Sequence, residues 1–145
     1  MAVRFIDTNV FLRALTGTNP DQAAASRSLL LRVESGAERV TTSPLVLFEL
    51  IFTLQSPRSY NHPKERVVEL VSPVIELRGM QLPTKQLWLD AFSIWLAHPI
   101  DFADAFNVAS MRAAAVTEIY AFDRGYGHVP DIVRIEPTEQ AEEAA

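Results

Sequence analysis

The sequence predicts an α/β domain built on a mainly parallel sheet, and three observations carry that prediction. Short apolar runs alternate with longer segments of helical periodicity, the pattern of strands joined by helical crossovers. A chain of 145 residues with 48% hydrophobic content is large enough to bury one sizeable core. Acidic residues stand directly after two of the apolar runs, where open parallel sheets present their ligand-binding rim.

The elements follow in order. "VRFI" at 3–6 reads as a short buried strand, and a second apolar run follows Asp7, Thr8 and Asn9 at once. In "NPDQAAASRSLLLRVESG", Pro20 and Asp21 suit a helix start, Leu30 and Val33 continue one face, and Gly36 suits the stop. "RVTT" at 39–42 is the next strand. Ser43 and Pro44 then open the helix "LVLFELIFTLQS", which ends before the breaker-rich "SPRSYNHP". "KERVVELVSPVIELRG" is helical in pattern, with Pro73 expected to kink or split it. A weak strand is expected in "MQLP", and Trp88, Phe92 and Trp95 mark one face of a helix from about Thr84 to Ala97. "DFADAFNVASMRAAAV" is an Ala-rich helix, "IYAF" at 119–122 a strand, and "IVRIE" at 132–136 the last one. One domain over residues 1–137 is expected, with a loose tail over 138–145 that lacks large apolar residues.

Composition narrows the function. Asp and Glu number 18 against 13 Lys and Arg, so the molecule lacks the strong positive field of a general nucleic-acid coat protein. Nucleic-acid binding would have to be local or assisted by a metal. The absence of cysteine removes disulfides, zinc knuckles and thiol catalysis, and fits a reducing compartment, with the cytoplasm as the expectation. No secretory leader is evident, and the longest apolar stretch, near 45–54, is too short to span a bilayer and carries Glu49.

Four carboxylates stand out. Asp7 follows "VRFI" and Asp123 follows "IYAF", so their side chains would meet at one rim if the two strands are neighbours. Asp104 falls in the first turn of the Ala-rich helix, where the helix dipole favours a negative charge. Glu49 is the only charge in "LVLFELIFTL", a stretch expected to be buried on most faces, where an unpaired carboxylate is costly. Acids gathered without His or Cys point to a hard cation, Mg²⁺ or Mn²⁺, and to phosphoester hydrolysis. Each acid has an ordinary alternative: Asp7 as a helix cap, Asp104 as a first-turn charge, Asp123 as a turn residue. Asp101, three residues before Asp104, is better placed to cap than to ligate.

"FIDTN", "SPLVLFEL", "DFADAFNVASM" and "YAFDRGYG", in this order over nearly the whole chain, resemble the PIN domain of VapC-type toxins. The resemblance implies a Rossmann-like three-layer α/β/α sandwich and a Mg²⁺- or Mn²⁺-dependent endoribonuclease. It further implies a toxin neutralised by a cognate antitoxin, with RNA as substrate; separately, a homodimer or an antitoxin groove is expected to cover the apolar surface that Phe48, Ile51 and Phe52 extend. The family's acidic site would fall on Asp7, Glu49, Asp104 and Asp123 as catalytic residues and metal ligands, with Asn9 as the polar residue supporting the first. One position departs from the pattern: many relatives carry Thr or Ser two residues before the last acid, and here Ala121 removes that hydroxyl.

Other residues are assigned more plainly. Arg13, Arg58, Lys64, Arg66, Arg112 and Arg124 are possible phosphate contacts, although scattered basic residues are usually solvated surface. His62, His98 and His128 show no metal-ligand spacing, and the tryptophans with Phe92 are expected in the core or at a partner interface. The alternative function is a catalytically weak PIN-like module that binds RNA or protein, which Ala121 would favour. A phosphatase or receiver domain ranks lower, because Asn9 stands where a second aspartate would be needed and "RVTTSP" offers no acid.

Overall fold

Strand β1 (Val3–Phe5) leads after a two-residue turn into helix α1 (Thr8–Thr16). Gly17, at φ +74°, closes that helix by sending its N–H to the Arg13 carbonyl, a left-handed conformation that glycine adopts without steric cost. Helix α2 (Pro20–Glu34) starts with Asn19 accepting from the Gln22 N–H and with Pro20 at its first position. Strand β2 (Arg39–Thr41) then lies parallel to β1, with Val3 opposite Arg39 and Phe5 opposite Thr41. These residues belong to a computed structural model that describes residues 2–140 and falls into two compact units, 1–85 and 86–145.

The first unit continues with helix α3 (Pro44–Gln55), capped by the Ser43 side chain on the Val46 N–H, and helix α4 (Lys64–Ile75). Pro73 does not split α4 midway; it sits in the last turn and the helix ends at Ile75. The strand expected in "MQLP" shrinks to a single parallel bridge from Met80 to Val40, fixed by the Val40 N–H to the Gly79 carbonyl and the Gln81 N–H to the Val40 carbonyl. Gly79 is required there: a Cβ at this position would lie 2.3 Å from the Glu38 carbonyl oxygen. The core of this unit includes Phe11, Val33, Leu47, Leu50, Leu54, Val67 and Val71.

The second unit opens with helix α5 (Lys85–Ala97), followed by helix α6 (Phe102–Ala113), strand β3 (Glu118–Tyr120), a 3₁₀ turn (Arg124–His128) and strand β4 (Val133–Ile135). Trp88, Phe92 and Trp95 are all buried and converge on Phe102, with ring centroids 5.9, 5.5 and 5.1 Å from it. Their helical spacing therefore marks a core face. Strands β3 and β4 pair in parallel, Glu118 opposite Val133 and Tyr120 opposite Ile135.

The α/β class and the parallel strand direction agree with the sequence reading. Among the described residues, however, the strands form two two-stranded ladders, β1 with β2 and β3 with β4, where one central sheet was expected. Apolar runs identify which segments are extended, whereas pairing depends on partners distant in sequence, which local patterning does not specify. The tail expected from residue 138 lies outside the described residues over 141–145. Among the described residues no helix is long and apolar enough to cross a membrane.

One ion pair ties the second unit's segments together. The Arg112 guanidinium, in the last turn of α6, grips Asp131 with both ends, at 2.9 and 2.6 Å, so this residue is committed to structure. The guanidinium holds the Asp131 carboxyl below the usual carboxylate range. A depressed folded pKa gives stability that is present above the unfolded value and is lost as pH falls through the folded one. Both side chains are largely exposed, so Asp131→Asn should lower stability by no more than about 1 kcal/mol at neutral pH. Urea titrations should show that difference vanishing on acidification below about pH 4.

Candidate metal centre

Three carboxylates meet in the second unit. Asp101 and Asp104 come from the start of α6 and Asp123 from the turn after β3, and one ligand oxygen from each lies within 4.8 Å of the others. Local geometry explains the convergence. Asp101 caps α6, accepting from the Asp104 N–H at 3.0 Å, as its spacing suggested, yet it still contributes to the cluster. Asp123 caps the 3₁₀ turn by accepting from the Gly125 N–H at 2.8 Å. That bond orients Asp123 from its own turn.

Asp104 is the most constrained of the three. Partial burial raises its carboxyl above the ordinary range, a hydrogen bond from Tyr126 pulls it down, and the charges of Asp101 and Asp123 raise it further. The Tyr126 hydroxyl in turn accepts from the Asn107 Nδ2 at 2.8 Å, so a short polar chain runs from Asn107 through Tyr126 to Asp104. Burial pushes the Tyr126 phenol upward, which keeps it a donor at neutral pH. Sequence reasoning missed Asn107, Tyr126 and Gly125. The only available signal was the pair of glycines flanking an aromatic residue in "DRGYG".

Gly125 has a packing role at the site. A Cβ there would stand 3.2 Å from Asp104 Oδ2 and 3.2 Å from Asp123 Oδ1, closer than carbon and oxygen normally approach. Gly125→Ala should therefore displace both carboxylates by a few tenths of an ångström and weaken divalent-cation affinity by about tenfold or more, with little change in melting temperature. Titration calorimetry with Mn²⁺ checks this.

The first unit holds the other two predicted acids. Asp7 occupies the cap position of α1 but its side chain makes no capping hydrogen bond, so the simple capping role is not the one it plays. Beside it, Thr8 is 4% exposed and its Oγ1 has no hydrogen-bond partner among the described residues, a buried polar atom that calls for a ligand or water. Asn9 is exposed. Glu49 is a correction: it is exposed, because Leu45, Glu49 and Phe52 form the outward stripe of α3 while Val46, Leu47, Leu50, Ile51 and Leu54 cover the inward face. Its charge stands in solvent and carries no burial cost.

The donor set fits a hard divalent cation. Clustered carboxylate oxygens without nitrogen or sulfur neighbours suit Mg²⁺ or Mn²⁺, and the like-charge repulsion at Asp104 is what such an ion relieves. The PIN domain family model matches residues 4–132. The chain belongs to the PIN domain family. PIN domains are generally metal-dependent nucleases, and the acidic cluster of this PIN domain is consistent with that activity. A comparison with curated proteins returned no match.

Proposed function

We propose that this PIN domain protein is a Mg²⁺- or Mn²⁺-dependent endoribonuclease of the VapC type, the toxin of a toxin and antitoxin pair acting in the cytoplasm. The observation that carries the reading is the oriented cluster of Asp101, Asp104 and Asp123. Its catalytic carboxylates are Asp7, Glu49, Asp104 and Asp123, the residues that match the family's motifs, and the three-layer α/β/α sandwich belongs to the same proposal. The chemistry such an ion supplies is charge neutralisation of the phosphodiester and activation of water.

The chain's own groups prepare that chemistry. The Gly125 amide engages Asp123 Oδ1 and fixes that carboxylate in its turn. The Tyr126 hydroxyl, itself held by Asn107, orients Asp104. Asp7 spends no oxygen on capping α1.

A cognate antitoxin and a homodimer are part of the proposal, supported by large apolar side chains left exposed on α2 and α3, Leu31 and Leu45. Cleavage of total RNA by purified protein with Mn²⁺ tests the activity, and growth arrest on expression tests the toxin role. Intact RNA under both metals, or unchanged toxicity in Asp7→Asn and Asp104→Asn, would refute the reading. Divalent binding without cleavage would instead favour the RNA- or protein-binding module to which Ala121 points.

A further inference from the structure

Beyond the C-terminal end of α3, the loop at 56–63 folds back and borders an open surface cleft of about 500 Å³, whose walls include Phe52, Gln55, Ser56, Asn61, His62 and Pro63. That size lies within the range of roughly 300–1,000 Å³ typical of small-ligand sites. Backbone bonds hold the cleft in shape: the Ser59 and Asn61 N–H groups reach the Ser56 carbonyl at 3.0 and 2.9 Å, and the His62 N–H reaches the Leu54 carbonyl at 2.9 Å. Asn61 takes a left-handed conformation, φ +51°, to complete the turn. The His62 ring is set in place by stacking on Tyr60, with centroids 6.4 Å apart and planes 12° from parallel.

The lining is chemically specific. Phe52 is 74% exposed, so a flat aromatic face stands in solvent at the cleft wall. Among the described residues, the side-chain amides of Gln55 and Asn61 are not engaged by the protein, and each offers one acceptor and two donors. An apolar peptide side chain seated here would leave those amides unpaired at a cost. A nucleobase satisfies both features at once, because it has π-faces for Phe52 and His62 and alternating donors and acceptors along its edge for the amides. The exposed Arg58, carried on the loop itself, gives this segment of an otherwise acidic chain a positive charge suited to a phosphate.

We propose that the cleft is a subsite for one base of single-stranded RNA. The RNA occupant rests on the ribonuclease reading above. A base stacked on Phe52 presents its edge to Gln55 and Asn61, and those two amides determine which base is accepted there.

The test measures fluorescence anisotropy of labelled adenylate, uridylate and cytidylate homopolymers of about ten nucleotides, in chelator so that nothing is cut. The full-length protein is compared with Phe52→Ala and Gln55→Ala, and thermal melts confirm that both variants fold. Phe52→Ala is expected to weaken RNA binding between about fivefold and a hundredfold. Gln55→Ala is expected to narrow the affinity differences among the three homopolymers. Unchanged affinities in both variants would overturn the subsite. So would a Phe52→Ala protein that binds RNA normally but changes its mass by light scattering, which would assign the face to a protein partner. Because binding is read without cleavage, loss of RNA affinity in a chain that proves catalytically inert would retain the subsite and refute only the nuclease reading. Normal cleavage with unaltered binding would do the reverse.

Discussion

If the proposed ribonuclease reading holds, Asp104→Asn is expected to lower RNA cleavage by at least about 100-fold and, in the same protein, to raise the stability of the metal-free fold at neutral pH. The first effect follows from the role of Asp104 as the central member of the acidic cluster, since loss of even the outer hydrogen-bond partners of a metal site typically costs about 10- to 100-fold. The second follows from linkage. Burial and the neighbouring Asp101 and Asp123 raise the Asp104 carboxyl in the folded state above its ordinary value of 3.8. The folded protein then holds that proton more tightly than the unfolded chain does. Its favourable contribution is fully present below the unfolded pKa and is lost as pH rises through the folded one, leaving a penalty at neutral pH.

Asparagine removes the charge and with it the penalty, so the metal-free variant should melt higher than the parent at neutral pH and should show no gain at low pH. Mn²⁺ reverses the order. At a hundred times its dissociation constant the ion should stabilise the parent by about 2.7 kcal/mol, and the variant by much less. Differential scanning calorimetry with and without Mn²⁺ reads both signs. A variant that is destabilised without metal, or equally stabilised with it, would show that the acids are not a cation site.

Phe102→Ala is expected to cost about 3–5 kcal/mol, the usual loss for removing a buried aromatic ring from a packed core. Phe102 is the first residue of α6 and lies at the centre of the second unit's aromatic cluster, within 6.2 Å of the Trp88, Phe92, Trp95 and Phe106 rings. Asp101 and Asp104 flank it on the same helix start. The substitution should therefore lower the urea midpoint and weaken Mn²⁺ affinity together, because the ring that seats α6 also seats two of the three carboxylates. Phe102→Leu, which refills part of the space, should recover part of both losses. An Ala variant with a lowered midpoint but unaltered Mn²⁺ affinity would separate the cluster's geometry from the aromatic core.

The residues of the acidic centre were legible to different degrees. Asp104 and Asp123 announced themselves through position, one in a helix's first turn and one just after a strand, and both arrive where that position implies. Asp101 was correctly read as a cap, and it also lies in the acidic cluster with Asp104 and Asp123. The burial expected of Glu49 does not occur. Helix α3 is apolar almost all round, and in such a helix periodicity no longer marks which face turns inward; only the packing of Leu47, Leu50 and Leu54 shows that the stripe bearing Glu49 faces solvent. Tyr126 and Asn107 carried no signal, because a tyrosine 19 residues from an asparagine has no local pattern to reveal the bond between them.

The amino-acid sequence by itself determined where each helix and strand begins and ends, to within a residue or two in most cases. Caps, prolines, glycines and hydrophobic period act within one or two turns of the chain and are written in adjacent letters. Tertiary structure alone decided that the strands pair as two separate ladders, that Asp101 joins Asp104 and Asp123, and that Gly125 leaves room for them. Those outcomes depend on packing between residues far apart in the chain, where the energy of one contact depends on what every neighbour does, and no local run of letters encodes that.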